Sequence, residues 1–437
     1  MPLYRLITFG CKVNQCDSAG MAQGLAARGW RLAPAGAALD LALVNTCTVT
    51  ARADQEARQA IRRLAREHPG VPIWVTGCYA QRAPAEVAAL PGVAGVAGNR
   101  EKSRLAEMVA GPAPPGLRLC VAAYGPEETF HPWPLQPFPG QTRARLKIQD
   151  GCSHGCTYCI VPMVRGPRRS LAPRGVTAAL EELAHLGYQE VVLTGVDLGQ
   201  YGQDQDPSLN LADLVKRLRA RAMPFRVRLS SLEPQEVTAA LLGALARWPE
   251  FCPHFHLPLQ SGAARVLAAM GRPYSPQDFR DLAWEIHRLF PEAALGLDVL
   301  VGFPGETTGD FEDTYALVEA LPVTYLHVFP FSPRPGTPAA QMARLPATEV
   351  QMRARLMRDL GRVKKGEFLQ AQLGKVRGVL VEGPAREPGW LKGLSDNYLR
   401  VLLPGPLEWR NRLLMVRFRE VQGEVLVAAA LGPGEKP

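Results

Sequence analysis

The stretch Gly151-Cys152-Ser153-His154-Gly155-Cys156-Thr157-Tyr158-Cys159 lies directly after an apolar, strand-like run, Ala144–Gln149. Its three cysteines have the spacing C-x3-C-x2-C, and three thiolates on one short loop can hold three irons of a 4Fe–4S cluster. The fourth iron would then have no protein ligand and be open to a cofactor or substrate. A structural zinc site normally has four ligands. The loop has only three cysteines, so the spacing favours an iron–sulfur cluster. Zinc remains the alternative, because His154 could be its fourth ligand.

The residues around this loop, 143–330, alternate between strand-like and helix-like segments. The strand-like runs are Ala144–Gln149, Glu190–Thr194, Phe225–Ser230, His254–Leu259, Leu295–Val301 and Thr324–Phe329. The helix-like stretches between them include 175–186, 235–247, 275–290 and 308–320. Six strand–helix units are fewer than the eight of a complete α/β barrel. The pattern therefore predicts a partial parallel barrel, with functional residues at the C-terminal ends of its strands.

The N-terminal part of the chain has the same alternation. Strand-like runs at Tyr4–Phe9, Leu41–Asn45 and Pro72–Thr76 are followed by helix-like segments at 15–28, 51–67 and 80–90. This predicts a parallel sheet with helices on its faces.

Each of these three strands leads into a cysteine: Cys11, Cys47 and Cys78. Parallel strands bring their C-terminal ends to one edge of the sheet, which is where ligands bind in open α/β sheets. Gly10 and Gly77 permit the tight turns that such an arrangement needs. The three thiols can therefore converge on a metal centre; the alternative is that they are buried structural thiols.

The rest of the chain divides by composition. Prolines crowd 111–142, which predicts a linker or an extended strap, because proline cannot join a helix interior or a central strand. A basic helix is expected at 346–370, and short strand-like runs separated by turn residues predict a small β-barrel at 371–437. The expected domains are therefore 1–110, 111–142, 143–345, 346–370 and 371–437.

The charge favours a polyanionic partner. The 437 residues carry 50 Lys+Arg and 41 Asp+Glu, a net charge of +9, and Arg353–Arg377 alone has eight basic and two acidic residues. Nucleic acid is the commonest such partner; the alternatives are a general basic bias and a solvated charged face. No apolar run approaches the ~20 residues of a membrane span, and the N-terminus lacks a signal-peptide pattern. We therefore expect a cytoplasmic protein without membrane contact.

Nine cysteines in such a protein are better explained as metal ligands or reactive thiols than as disulfides. Cys16, Cys120 and Cys252 lie outside both sets of three. We expect these three to be ordinary small buried residues.

The 152–159 loop resembles the signature of the radical S-adenosylmethionine (AdoMet) superfamily, including the aromatic Tyr158 before the last cysteine. The resemblance covers 143–330 and implies a partial barrel of six strand–helix units. It also implies that AdoMet chelates the open iron and is cleaved to a 5′-deoxyadenosyl radical. AdoMet would lie across the strand ends, and the candidate contacts are Tyr158, Thr194, Gly195, Ser230, Glu233 and Gln260. For Glu233 the alternative is an acidic residue at the N-terminus of a surface helix.

The whole chain resembles the methylthiotransferases, which combine a three-cysteine N-terminal domain, a radical AdoMet domain and a C-terminal TRAM domain. The stretches that look like further family motifs are 193–199, 229–234, 256–262, 302–306 and 396–398. The resemblance implies two 4Fe–4S clusters, one on Cys152, Cys156 and Cys159 and one on Cys11, Cys47 and Cys78. The first would make the radical, which takes hydrogen from carbon 2 of an adenine. The second would hold or supply the sulfur, and a second AdoMet the methyl group.

Two short segments, 10–14 and 45–50, resemble the branch that acts on N6-threonylcarbamoyladenosine beside the tRNA anticodon. Ser153-His154-Gly155 departs from the Asn-Asn-Phe that the family often has, and 165–170 departs from Arg-Gly-x-x-x-Ser-Arg. The implied partners are tRNA, bound by the basic helix and the β-barrel, an electron donor and a sulfur source. The sequence identifies neither the electron donor nor the sulfur source, and it leaves the oligomeric state open. The alternatives are an isopentenyladenosine or ribosomal-protein aspartate acceptor and, from another class, a non-catalytic zinc-containing RNA-binding protein.

Overall fold

The computed structural model of the chain describes residues 1–110, 116–125, 127–133 and 142–432. The two most proline-dense parts of the predicted linker, 111–115 and 134–139, lie outside the described residues. The fold is the predicted α/β class in three parts: an N-terminal sheet, a central partial barrel and a C-terminal closed barrel.

The N-terminal part is a parallel sheet with the strand order β2-β1-β3-β4-β5-β6. Its elements are β1 (Leu3–Thr8), α1 (Lys12–Ala26), β2 (Arg31–Leu32), β3 (Leu41–Thr46), α2 (Ala51–Glu67), β4 (Ile73–Gly77), α3 (Cys78–Arg82), α4 (Pro84–Ala88), β5 (Val93–Ala97), α5 (Leu105–Ala110) and β6 (Arg118–Cys120). All six residues of β3 are buried, as expected for a central parallel strand with helices on both faces. The last strand, β6, follows the expected domain boundary at 110, so the sheet takes in the first part of the predicted linker.

The central part follows the N-terminal sheet in the chain. Its elements are β7 (Ala144–Lys147), β8 (Gln149–Asp150), α6 (Val161–Arg165), β9 (Arg169–Ser170), α7 (Pro173–His185), β10 (Glu190–Thr194), α8 (Leu211–Arg219), β11 (Arg226–Leu229), α9 (Ala239–Ala246), β12 (His254–Gln260), α10 (Ala264–Met270), α11 (Pro276–Leu289), β13 (Ala294–Val301), α12 (Thr308–Ala320) and β14 (Tyr325–Pro330).

Six of these strands form two parallel sheets of three, β7-β10-β11 and β12-β13-β14. A parallel bridge from Val227 to Phe251 lies between them. This is the predicted partial barrel. Alternate residues of the strands, such as Leu193, Leu257 and Leu297, pack outward against the helices in one large core. The other residues face the lumen.

The C-terminal part is a long helix followed by a small closed barrel. Its elements are α13 (Ala347–Gln370), β15 (Val376–Pro384), β16 (Trp390–Ser395), β17 (Arg400–Pro404), β18 (Leu413–Gln422) and β19 (Val425–Ala430), and the barrel closes in the order β15-β16-β17-β19-β18. Short 3-10 turns lie at Glu101–Arg104, Leu198–Gln200, Pro234–Glu236, Pro338–Gln341 and Leu407–Trp409. Across the described residues, none of the helices combines the length and apolar composition that crossing a bilayer requires.

The C-terminal barrel docks against the N-terminal ends of the central strands. Glu190, at the start of β10, is fully buried between Arg226 and Arg228, with its carboxylate 2.7 and 2.9 Å from their guanidinium groups. Arg226 donates to the carbonyls of Gly378 and Leu394, both at 2.8 Å. Arg228 donates to the carbonyls of Ser395 and Asp396 at 3.1 and 2.8 Å.

Tyr398 of the same C-terminal barrel stacks on His254, with ring centroids 4.1 Å apart. His254 is the first residue of β12, so Tyr398 closes the lumen at that end.

Candidate active site: two cysteine triads across a domain interface

The loop with Cys152, Cys156 and Cys159 is fixed at the C-terminal end of the β7–β8 segment. Gly151 has a φ of +75°, and a Cβ there would lie 1.9 Å from the carbonyl oxygen of Pro167, so only glycine fits this turn. Thr157 anchors the middle of the loop through its backbone N–H and its hydroxyl, which donate to the carbonyls of Met270 and Ala269 at 3.0 and 2.8 Å. The loop is therefore held against the end of α10.

The three thiols suit a multi-iron cluster better than a single ion. Burial raises the pKa of the thiols of Cys152, Cys156 and Cys159, so their thiolate forms need a cationic partner. Among the described residues at this loop, the side chains whose ligand atoms lie within 4.8 Å of one another, close enough to share one ion, are Cys152, His154 and Asp197. An ion there would leave two of the cysteines unused, whereas a cube of four irons spaces its thiolates more widely. The donor set thus fits a 4Fe–4S cluster with one open iron.

His154 has a structural partner in each of two acids. Its Nε2 lies 3.2 Å from Asp197 and 3.1 Å from Glu236. These carboxylates, Asp197 foremost, raise the pKa of His154 to about 10, against the opposing effect of burial. The ring therefore joins the cysteine loop to the segment after β10 as a charged tether. This explains how the chain accommodates its departure from the common family residues at this position.

The AdoMet-contact candidates lie at strand ends around this loop. Thr194 is the last residue of β10, and its buried hydroxyl has no hydrogen-bond partner among the described residues. The backbone N–H of Gly195 reaches the Ser230 hydroxyl at 3.4 Å. Gln260 ends β12 after a bulge and has a left-handed φ of +63°, a conformation that costs a non-glycine residue on the order of 1 kcal/mol. An unsatisfied hydroxyl and a strained strand end are typical of a ligand site.

Arg272 joins two further candidates and was not predicted. Its guanidinium donates to the Tyr158 hydroxyl at 2.5 Å and forms an ion pair with Glu233. Burial raises the pKa of Glu233, and Arg272 opposes this. Glu233 is the N-cap residue of the 3-10 turn at Pro234–Glu236, where the helix-terminus alternative places it, but its side chain makes no capping hydrogen bond and pairs with Arg272. Because Tyr158 and Arg272 are 114 residues apart, the sequence carries no signal for this contact.

The second set of cysteines meets at one edge of the N-terminal sheet. Cys47 and Cys78 follow the paired residues Thr46 and Gly77 of neighbouring strands. A Cβ on Gly10 would lie 2.9 Å from the Cys47 sulfur, which places the Cys11 turn against Cys47. Burial and then the thiols of Cys78 and Cys11 raise the pKa of Cys47 to about 12. The three cysteines therefore lie at one edge of the sheet, with Cys47 and Cys78 buried and Cys11 exposed.

The two triads share a wall. Helix α6 begins two residues after Cys159, and its Val164 packs with Ile160 on Cys78. Arg165, at the end of α6, donates to the Asn14 side-chain oxygen at 2.6 Å. Asn14 in turn donates to the carbonyls of Phe9 and Thr46 at 2.8 and 2.9 Å, just before Cys11 and Cys47. The chain that leaves the first triad therefore braces the loops of the second.

A buried charge network surrounds this brace. Asp17 of α1 binds Lys102, Lys147 and Arg165 at 2.9, 2.6 and 3.1 Å, and its other contact is the Trp133 ring N–H at 3.1 Å. Despite the cost of burial, these cations hold the pKa of Asp17 well below its usual range. Trp133 belongs to the predicted linker, 111–142. At this residue the linker lies as a strap across the interface between the N-terminal sheet and the central part. Of the cysteines outside the triads, Cys16 and Cys252 are buried as expected, whereas Cys120 is partly exposed because β6 is an edge strand.

The lumen beneath the AdoMet candidates is polar on one side. His256 of β12 has its Nε2 3.1 Å from Asp298 of β13, and Nδ1 of His327 on β14 lies 3.2 Å from the same carboxylate. Although burial opposes them, the two histidines lower the pKa of Asp298 to about 2. Beside β14 a cleft opens to the surface. It is lined by Tyr325, His327, Arg358, Arg362, Lys365, Tyr398, Arg400 and others.

Comparisons with known proteins agree with this architecture. Residues 4–98 match the family described as "Uncharacterized protein family UPF0004", and residues 146–318 match the radical SAM superfamily. The fold is similar to that of TsrM from Kitasatospora setae, a radical AdoMet methyltransferase, with a TM-score of 0.57, 16% identity and coverage of 78% of this chain and 77% of that one.

Curated relatives match nearly the whole chain. The threonylcarbamoyladenosine tRNA methylthiotransferase MtaB of Bacillus subtilis is 35% identical over 94% of this chain and 92% of its own. The tRNA-2-methylthio-N(6)-dimethylallyladenosine synthase of Thermus thermophilus is 32% identical over 98% of this chain and 91% of its own. Such identity over nearly complete lengths, together with the radical AdoMet fold, shows that the chain belongs to the radical AdoMet tRNA methylthiotransferase family.

Proposed function

We propose that this protein adds a methylthio group to carbon 2 of N6-threonylcarbamoyladenosine at position 37 of tRNA. The observation that carries the proposal is the pair of cysteine triads at the strand ends of two domains, joined through α6. Relatives with the threonylcarbamoyladenosine acceptor support the choice of substrate.

The two triads divide the work. Cys152, Cys156 and Cys159 would hold a 4Fe–4S cluster, whose chemistry with bound AdoMet would be to supply a 5′-deoxyadenosyl radical. The strand-end residues Thr194, Gly195, Ser230 and Gln260, and the pair Tyr158 and Glu233, would hold AdoMet and keep water from it. Cys11, Cys47 and Cys78 would hold a second 4Fe–4S cluster, which would supply or hold the sulfur.

Atom balance defines the partners of the reaction. Replacing the C2–H bond by C2–S–CH3 requires one sulfur atom, one methyl group and an acceptor for the hydrogen. One AdoMet, cleaved with one electron, supplies the radical that takes the hydrogen and leaves as 5′-deoxyadenosine and methionine. A second AdoMet supplies the methyl group and leaves as S-adenosylhomocysteine. Sulfur and electrons come from a sulfur source and a one-electron donor that act on this protein as partners.

The basic cleft beside β14 accepts the tRNA backbone. Arg358 and Arg362 are exposed on α13, and Arg400 lies opposite them on β17. Phosphates bound there would hold the tRNA body against the outside of the partial barrel, and Tyr325 and His327 beside them offer aromatic surfaces for stacking. The affinity for tRNA should therefore fall as salt rises.

The test separates the two triads. We expect Cys156→Ala to abolish both 5′-deoxyadenosine formation and tRNA modification, because it removes a ligand of the radical-forming cluster. Cys47→Ala should abolish methylthio insertion but leave reductive AdoMet cleavage measurable, because the first triad is intact. Both products are read from the same anaerobic reaction with a strong reductant, by mass spectrometry of nucleosides.

Cys120→Ala is the matched control, since Cys120 lies outside both triads on an edge strand and should retain both activities. A Cys47→Ala protein that thiolates tRNA at the normal rate would refute the role of the N-terminal triad. A folded Cys47→Ala protein that no longer cleaves AdoMet would show that the two clusters cannot be separated. Zinc in stoichiometric amount with only trace iron would favour the non-catalytic alternative.

A further inference from the structure

One wall of the lumen is built from ionisable and polar side chains. Among the lumen-facing positions of β12, β13 and β14 are five ionisable or polar residues, His254, His256, Asp298, Tyr325 and His327. The rings contact one another: Tyr325 lies 5.9 Å from His256 and 5.3 Å from His327, and its hydroxyl meets His254 Nε2 at 2.8 Å. A hydrocarbon substituent on the acceptor base would gain nothing from such a wall, whereas a polar one could form hydrogen bonds with it.

Lys12 reaches this wall from the N-terminal domain. It follows Cys11 directly, is partly buried, and its Nζ lies 5.9 Å from the centre of the Tyr398 ring that stacks on His254. Lys12 therefore places a cation between the N-terminal cysteine triad (Cys11, Cys47 and Cys78) and the end of the lumen that Tyr398 closes.

Unlike Lys102, Lys147 and Lys375, Lys12 forms no ion pair with a carboxylate among the described residues. Lys102 and Lys147 each form an ion pair with Asp17, and Lys375 forms one with Glu292. Lys12 makes no hydrogen bond and no ion pair with residues 1–110, 116–125, 127–133 and 142–432. The contact that it does make is the cation–π contact with Tyr398.

The charged groups that face Lys12 are themselves cationic. Arg228, Arg143 and Arg145 act on it from the central strands and the segment before them. Arg228 is satisfied by Glu190, and Arg143 by Glu382 at 2.9 Å. A partly buried cation among other cations is costly unless an anion joins it. An anion brought next to Lys12 would offset this cost.

We propose that Lys12 binds the carboxylate of the threonine moiety of the acceptor nucleoside and so determines specificity for it. This rests on the proposed function and names the group in the acceptor that is recognised. The carboxylate is favoured over a tRNA phosphate because Lys12 lies inside, next to Cys11 and the histidine wall, whereas the exposed arginines of α13 and β17 line the outer cleft. The threonyl hydroxyl and the urea of the same substituent find partners in His256, His327 and Tyr325.

The role of Lys12 is tested by binding, and methylthiolation of the same hairpin by the wild type is measured separately to test the acceptor. Anaerobically reconstituted protein is titrated with an anticodon hairpin carrying N6-threonylcarbamoyladenosine and with the same hairpin in which the threonine carboxylate is a neutral amide. We expect the wild type to prefer the carboxylate hairpin by about ten- to a hundredfold, the range of one charge-assisted hydrogen bond. Lys12→Met should lose this preference by weakening only the carboxylate hairpin, and Lys12→Arg should keep most of it.

Lys216→Met is the matched control, because Lys216 is exposed on α8 and pairs with Asp213 at 2.9 Å. The competing explanation is that Lys12 only offsets the negative charge of a cluster on Cys11. In that case Lys12→Met would lower the iron content or alter the cluster's spectrum, while the preference between hairpins stayed as in the wild type, and the proposal would be overturned. Equal weakening of both hairpins would overturn it as well.

Failure of this inference is distinguishable from failure of the proposed function. If the wild type does not methylthiolate the carboxylate hairpin, the acceptor itself is wrong. If the wild type does so and Lys12→Met still prefers that hairpin, the acceptor stands and only the role of Lys12 falls.

Discussion

Neutralising Glu190 should detach the C-terminal barrel, because this one carboxylate compensates two buried guanidinium groups. Glu190→Gln keeps the shape of the side chain but leaves Arg226 and Arg228 without their anion. Both arginines also hold carbonyl groups of the C-terminal barrel, so the loss is felt at the docking surface.

The magnitude follows from two independent arguments. Removing one partner of a buried ion pair typically costs about 3–5 kcal/mol. Arg228 and Arg226, working against burial, lower the pKa of Glu190 from 4.5 to about 2, which corresponds to about 3 kcal/mol. Because the folded pKa lies below the unfolded one, this stabilisation is complete above about pH 4.5 and is lost as the pH falls toward 2.

The assay is urea unfolding of wild type and variant at neutral pH, followed by limited proteolysis between α13 and β15. Glu181→Gln is the control: Glu181 pairs with Arg221 at 2.7 Å, but both side chains are half exposed, so its loss should cost less than about 1 kcal/mol. We expect Glu190→Gln to lower the first unfolding transition and to release the C-terminal barrel to the protease. If it behaves like Glu181→Gln, the buried pair does not hold the domains together.

Three further outcomes follow from the geometry. Gly77→Ala should lose about half of the iron after anaerobic reconstitution, because it disturbs the turn before Cys78 and so one of the two clusters. Gly77 has a φ of +99°, and a Cβ would lie 2.3 Å from the Thr46 carbonyl oxygen. Gly187→Ala, with a φ of +77° and nothing within 4 Å of a Cβ, should keep its iron. Arg358→Glu with Arg362→Glu should weaken tRNA binding and reduce its salt slope by about two, whereas Arg288→Glu on α11 should change neither, as fluorescence anisotropy across a salt series would reveal. Thr307→Ala should cost about 1 kcal/mol in urea unfolding, because it removes a capping box with Asp310 at the start of α12; no change relative to the wild type would mean that the cap is dispensable.

The elements with strong local signals were predicted closely. β10 runs from Glu190 to Thr194 as expected, because its apolar run is buried throughout. Helix α2 spans 51–67 as expected, since Thr50 caps it and one face is apolar. In contrast, β16 was not predicted, because Lys392 and Gly393 interrupt its apolar pattern and it is defined by pairing with β15 and β17. Helix α8 lies between two predicted strands, as the strand–helix alternation implies, and its cap, Asn210, and its apolar face are visible in the sequence.

The same distinction holds at the site. The convergence of Cys47 and Cys78 follows from a general rule of parallel sheets, so the sequence was enough to predict it. The Arg272 pair with Tyr158 and the meeting of Lys12 with Tyr398 depend on how distant segments dock. No periodicity or spacing encodes a contact between the twelfth residue and the last barrel of the chain. Such contacts come from tertiary packing alone.

The docking of Tyr398 also has a consequence for synthesis on the ribosome. A chain emerges from its N-terminus, so the strands that surround the lumen are available well before the residue that closes its base. Until Tyr398 and the carbonyls of Ser395 and Asp396 emerge, His254 lacks one of its two stacking partners and Arg228 lacks two of its acceptors. The nascent central domain thus exposes an open, cation-lined cavity while translation continues. The base of the catalytic domain is therefore completed only by a later domain, and a ribosome that stalls near residue 390 would leave it open.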